Sequence, residues 1–146
     1  MCSDTLTLTD PSGEFEDGYP LTYPDDLSCG WIIDPPGDDP ITLEITYLYT
    51  DMWLWDDWLR VYDGMDSSAP LLGEYSGYQG STSLIEISTN GIMFVEFTTD
   101  SSGRYPGFTA RYMVSDPSFS IDVYVAMLYK PMKYLFTLNC FPYIDV

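Results

Sequence analysis

The 146-residue sequence contains no histidine. That absence excludes Ser-His-Asp and Cys-His nucleophile arrangements, and with them the ordinary zinc sites. Basic residues are scarce as well: five Lys and Arg stand against 23 Asp and Glu, a formal net charge of −18. A field of that sign repels nucleic acid and anionic lipid, and it attracts cations or basic partners. The imbalance is local. Residues 117–146 set Asp122 and Asp145 against Lys130 and Lys133, so the whole excess of acid falls in residues 1–116. No run approaches the roughly 18 apolar residues that a spanning helix needs, so membrane insertion is not expected. There is no Asn-x-Ser/Thr glycosylation site, Gly-rich phosphate loop or dinucleotide fingerprint. An aspartic-protease Asp-Thr/Ser-Gly loop is not matched either, since an extra serine separates Asp100-Ser101 from Gly103. Cysteine is limited to Cys2, Cys29 and Cys140; an odd count leaves one thiol unpaired or joined to another chain.

What the chain does have is apolar and aromatic surface. It is 45% hydrophobic and 16% aromatic, with 13 Tyr and 4 Trp, and its mean hydropathy is −0.07. That is ample to offset the entropy of ordering one domain. Turn formers recur at short intervals, at Asp10-Pro11-Ser12-Gly13, Asp17-Gly18, Pro24-Asp25-Asp26, Pro35 to Pro40, Asp63-Gly64, Gly77 to Gly80 and Asn90-Gly91. Between them the pattern alternates with period two. Ile41, Leu43, Ile45 and Tyr47 are expected on one face of a strand, with Thr42, Glu44 and Thr46 on the other. Leu59 and Val61, then Met93, Val95 and Phe97, then Phe108, Ala110 and Tyr112 form further sets. Such runs between turns predict an all-β, antiparallel sandwich or barrel, with no amphipathic helix before residue 117.

Residues 117–146 differ. Ile121 to Tyr129 and Tyr134 to Phe141 are apolar runs around Lys130-Pro131-Met132-Lys133, and length and periodicity do not choose between strand and short helix. The β-branched start of the first run slightly favours strand. Extra strands on a sheet edge, a docking segment, or an extension foreign to the fold are all compatible with it, and Cys140 is available to cross-link chains. A chain ending at Asp116 separates these readings by its melting curve.

The sequence from Gly13 to Pro24, with its Tyr19-Pro20-Leu21-Thr22-Tyr23-Pro24, leads into Cys29-Gly30-Trp31-Ile32-Ile33. Ile41 to Ile45 follows, then Asp57-Trp58-Leu59-Arg60-Val61-Tyr62-Asp63-Gly64 and Leu72-Gly73-Glu74-Tyr75-Ser76-Gly77. Phe94 to Asp100 and Gly107 to Tyr112 close the series. In this order the six blocks resemble a CUB domain over residues 2–113, leaving 114–146 as a C-terminal tail. The resemblance implies a jelly-roll sandwich of the CUB/spermadhesin kind, with the last two blocks as its closing hairpin. It also implies a Cys2–Cys29 disulfide, a cross-link worth about 3–4 kcal/mol if unstrained. The family's second disulfide falls on Leu54 and Ser76, so both partners are absent together. Trp53, Trp55, Trp58 and Tyr75 are expected to fill that gap.

A subset of the family binds Ca²⁺ at one end of the sandwich, and the corresponding positions are Asp51, Asp57 and Asp100. The 101–103 loop, at Ser102, would supply a backbone oxygen, and Tyr23 would hydrogen-bond a ligand carboxylate. Oxygen donors of this kind suit a hard cation. The first position normally carries Glu, so Asp51 is one methylene shorter, and the 51–57 stretch is two residues shorter than the pattern. Asp56 is expected to point away from the site, being adjacent to Asp57 on a strand.

The resemblance thus implies a non-catalytic, extracellular protein-binding module, Ca²⁺-assisted, in which Asp51, Asp57 and Asp100 also meet a Lys or Arg of the partner. The alternative is a metal-free structural or interaction domain, a fragment of a larger secreted protease or receptor. Met1-Cys2-Ser3-Asp4 shows no secretory signal; a removed signal, an incomplete chain and a non-secreted protein all remain open. The oligomeric state is not legible.

Overall fold

The structure, a computed structural model, describes residues 4–52 and 56–115. The chain divides into two units, Met1–Asp116 and Pro117–Val146, and the tail with Cys140 lies outside the described residues, as do Cys2, Trp53, Leu54 and Trp55. Among the described residues there is no helix. The strands are β1 (Thr5–Leu8), β2 (Ser12–Glu16), β3 (Ser28–Ile33), β4 (Ile41–Tyr49), β5 (Trp58–Tyr62), β6 (Leu71–Tyr75), β7 (Tyr78–Ser88), β8 (Met93–Thr98) and β9 (Gly107–Val114). They form a five-stranded sheet ordered β1-β3-β8-β5-β6 and a four-stranded sheet ordered β2-β9-β4-β7. Every pairing is antiparallel except β1 with β3.

The alternation read from the sequence supplies most of the core between the sheets, and Phe15, Trp31 and Ile33 complete it. Trp31, Ile33, Leu59, Val61, Met93, Val95 and Phe97 come from one sheet; Phe15, Ile41, Leu43, Ile45, Phe108, Ala110 and Tyr112 come from the other. Aromatic rings form its centre. Trp31 and Phe108 meet edge to face at 5.3 Å, Phe97 and Phe108 at 5.5 Å, and Phe15 lies 5.2 Å from Trp31. Edge-to-face packing at such separations adds to the area each ring buries.

Two expectations need correction. Tyr47 does not continue the inward set of Ile41, Leu43 and Ile45. A bulge between Ile45 and Tyr47 shifts the register against both β7 and β9, so Leu48, fully buried, takes the next inward place. One extra residue reverses the faces beyond it, and Tyr47 and Tyr49 turn outward. Nor are β8 and β9 a hairpin. β8 pairs with β3 and β5, and β9 with β2 and β4. The 99–106 connection therefore crosses from one sheet to the other and lies across the end of the sandwich.

The position of the absent second disulfide is polar on its described side. Ser76 is buried, and its hydroxyl is within bonding distance of the Thr50 hydroxyl and the Asp51 carbonyl. Tyr75 packs on the core and donates its hydroxyl to Glu86, tying β6 to β7 across the sheets. Trp58 lies under the guanidinium of Arg60, 5.4 Å from its ring centre.

Asp17 was legible only as a turn residue, yet it is fully buried. Its Oδ1 accepts the Phe108 amide at 3.0 Å, while Oδ2 has no hydrogen-bond partner. The carboxylate packs on Gly107, whose φ of +79° and lack of a Cβ make room for it. Burial raises its pKa to about 6 from 3.8, with Glu16 adding to the rise; hydrogen bonds from the Phe108 amide and its own backbone oppose it. A carboxyl that holds its proton more tightly in the folded state stabilises the fold at low pH. That contribution is lost as pH rises from about 4 through about 6. The stability difference between the parent chain and Asp17→Asn, measured by urea denaturation, should therefore shift against the parent by about 2 kcal/mol between pH 4 and pH 7. A difference that stays flat with pH would show that Asp17 does not titrate in this way.

Candidate cation site at the loop end of the sandwich

Four connections meet at one end, through residues 17–27, 50–52 with 56–57, 76–77 and 99–106. Their backbones are laced together. The Tyr23 amide donates to the Tyr105 carbonyl at 3.0 Å, Asp26 to Asp100 at 2.7 Å, Thr99 to Leu27 at 3.0 Å and Thr50 to Gly77 at 3.0 Å. The Thr99 hydroxyl accepts from Leu27 N and donates to the Pro24 carbonyl. The buried Thr50 hydroxyl accepts from Gly77 N at 2.7 Å.

Asp57 sits in the middle. It immediately precedes β5, whose alternation turns it inward while Asp56 is exposed. Asp57 is fully buried. Its Oδ2 accepts the Tyr23 hydroxyl at 2.5 Å, and its Oδ1 accepts the Asp100 amide at 2.9 Å. The Tyr23 oxygen in turn accepts the Asp51 amide at 3.1 Å. One carboxylate and one phenol thus join all three predicted acidic positions. Asp51 is itself buried, with its carboxylate over Gly103. A side chain at Gly103 would collide with it, and φ there is +78°. Asp100 is half-buried and caps its own turn: its Oδ1 accepts the Ser102 amide at 2.8 Å and faces the Ser102 hydroxyl at 3.4 Å.

The electrostatics are those of crowded acid. Burial raises the pKa of Asp57, and the charge of Asp100 adds to the rise; the Tyr23 and amide hydrogen bonds oppose it. Burial and hydrogen bonding to Asp57 push the Tyr23 phenol far above its ordinary range, so it remains a donor. At the rim, Arg104 makes two hydrogen bonds to Asp25, at 2.9 and 2.7 Å. The pair is too exposed to contribute much stability.

Among the described residues, no group of three or more His, Cys, Asp or Glu side chains is gathered closely enough to hold a metal. The structure therefore brings Asp51, Asp57, Asp100 and Ser102 to one junction through Tyr23 and backbone amides, not as converged carboxylates. The donor set is nonetheless all oxygen with three acids, which is the chemistry a hard divalent cation takes. Thr50, Thr99, Ser76 and Tyr105 belong to the same junction and were not legible, because polar residues in loops give no periodic signal. Cys29 is buried in β3 and disulfide-bonded; its partner lies outside the described residues.

Comparison with known proteins agrees with this architecture. The CUB domain family model matches residues 2–112, and the chain belongs to that family. It is 32% identical over 116 residues to neuropilin-1 of Xenopus laevis, covering 77% of this chain and 12% of that one. It is 35% identical over 109 residues to tolloid-like protein 2 of Mus musculus, covering 73% of this chain and 11% of the relative. The chain thus spans about a tenth of those relatives. Among solved structures, the CUB1-EGF-CUB2 domains of rat MASP-1 match with a TM-score of 0.66 at 25% identity, over 77% of this chain and 43% of that one. A MASP-1 CUB2 domain bound to Ca²⁺ shares the fold, with a TM-score of 0.61 at 18% identity, over 75% of this chain and 97% of that one.

Replacing Tyr23 with Phe removes the donor to buried Asp57 and the acceptor for Asp51 N together. Chemical denaturation should show a loss of roughly 2–3 kcal/mol. A variant as stable as the parent would mean that the phenol does not hold this junction.

Proposed function

We propose that this domain is an extracellular protein-binding module whose loop end takes Ca²⁺ and, with it, a basic side chain of a protein partner. The observation that carries the reading is the buried Asp57 carboxylate, hydrogen-bonded on both oxygens and joining Asp51 and Asp100 through Tyr23 and a backbone amide. Asp51, Asp57 and Asp100 would hold the ion, with Ser102 contributing from the adjoining turn and Tyr23 fixing Asp57. The ion would supply positive charge at the junction of the three acids and would fasten Asp51 and Asp57 to the 99–106 loop. An acidic surface with a net charge of −18 on the chain favours a basic partner by steering and complementarity. Without histidine, and without any nucleophile–base pair in the sequence, the domain is read as non-catalytic. A Cys2–Cys29 bridge would staple the chain start to β3 and would fit an oxidising compartment. Residues 2–113 then form the module and 114–146 an appended tail.

A metal-free interaction domain is the second reading, favoured by the lack of a converged carboxylate cluster among the described residues. Calorimetric titration separates the two. Ca²⁺ should bind with a dissociation constant on the order of 10⁻⁴–10⁻³ M, the range of extracellular modules, and Asp100→Ala should abolish the heat. No heat, together with no rise in melting temperature beyond an ionic-strength control, leaves the metal-free reading standing.

A further inference from the structure

The bulge in β4 has a consequence on the outer face of the four-stranded sheet. It turns Tyr47 and Tyr49 outward, where they meet tyrosines from three other segments. Tyr19 lies 4.8 Å from Tyr47, Tyr78 lies 4.7 Å from Tyr49, and Tyr105 lies 4.8 Å from Tyr49, measured between ring centres. Tyr78 is 58% exposed and the other four are half-buried. Tyr105 also packs against the core. Five of the chain's 13 tyrosines thus pave one surface, running from the 17–27 loop across β4 to the 99–106 connection.

We propose that this tyrosine pavement is a second contact surface, distinct from the loop-end acids, that receives arginine or lysine side chains of a basic protein segment across its ring faces. Charge complementarity selects this occupant. Beside Tyr19 runs a groove lined by Glu14, Glu16, Thr46, Thr109 and Arg111. The cation in that lining, Arg111, is already engaged by Glu44 at 2.5 Å, so the free charge there is negative. At the other end Tyr105 feels the carboxylates of Asp51 and Asp57. Burial and the neighbouring phenols hold the Tyr47 hydroxyl protonated above its ordinary range, so that ring stays neutral, and aromatic ring faces attract cations. Arginine suits the surface best, because its guanidinium is planar and stacks on aromatic faces. The proposal rests on the reading of a basic protein partner but not on the bound cation.

The test is calorimetric titration of the full chain with an acetylated hexa-arginine peptide at physiological salt in EDTA. Binding should survive EDTA. Tyr47→Ala and Tyr78→Ala should each weaken it roughly two- to fivefold, and the double variant about tenfold. Tyr78→Phe, which keeps the ring, should stay within about twofold. Peptide affinity unmoved by either alanine variant would mean diffuse attraction to an acidic surface and would overturn the proposal. So would absence of binding in EDTA, or binding of neutral cellohexaose in place of the peptide. Tyr78 is exposed enough that Tyr78→Ala and Tyr78→Phe keep the test usable if Tyr47→Ala does not fold. Failure of the Ca²⁺ site is read separately, in the titration with the ion.

Discussion

Asp57 is a fully buried carboxylate, and such a group persists in a fold only when its oxygens are satisfied. Here the satisfaction comes from far away in sequence: a phenol 34 residues upstream and a backbone amide 43 residues downstream. Asp51, Asp57 and the 17–27 and 99–106 loops are therefore held in register by a polar contact, while the aromatic core holds the sheets beneath them. The same contact makes the junction electrostatically tense, because Asp51 and Asp100 are fastened beside Asp57.

The inward-facing strand residues were legible because burial follows alternation, and Leu59, Val61, Val95 and Phe108 all lie where period two puts them. The bulge at Ile45–Tyr47 was not. A single extra residue leaves no mark in an apolar-polar pattern when the displaced residue is an aromatic that suits either face. The placement of β8 and β9 in different sheets escaped for another reason: pairing is decided by partners far off in sequence, not by the length of the loop between two strands. Asp17 escaped because its burial depends on Gly107, some 90 residues on.

The site was legible in a different way. Nothing in composition singles out Asp51, Asp57 and Asp100 from the other acids; the resemblance to CUB domains did so, and the fold brings the three to one junction. What it could not supply is how they are held. Tyr23 bridges two of them, Asp100 meets Asp57 through its amide, and its own carboxylate is occupied with Ser102. Composition marks Tyr47 and Tyr49 as aromatics of the 47–58 stretch able to flank a contact, but the five-ring surface left no periodic signal, since it depends on the bulge and on separate loops and strands delivering rings to one face. That surface lies alongside the acids, so a basic partner could span both.

The central claim is that the junction around Asp57 takes a hard divalent cation. Terbium(III) reports on this directly, because it occupies Ca²⁺ sites and emits when nearby aromatic side chains are excited. Tyr23 and Tyr105 lie within electrostatic reach of Asp51 and Asp57. The account predicts tyrosine-sensitised terbium emission that Ca²⁺ displaces and that Asp57→Asn abolishes. Emission that never appears, or that Ca²⁺ and the substitution leave untouched, contradicts it.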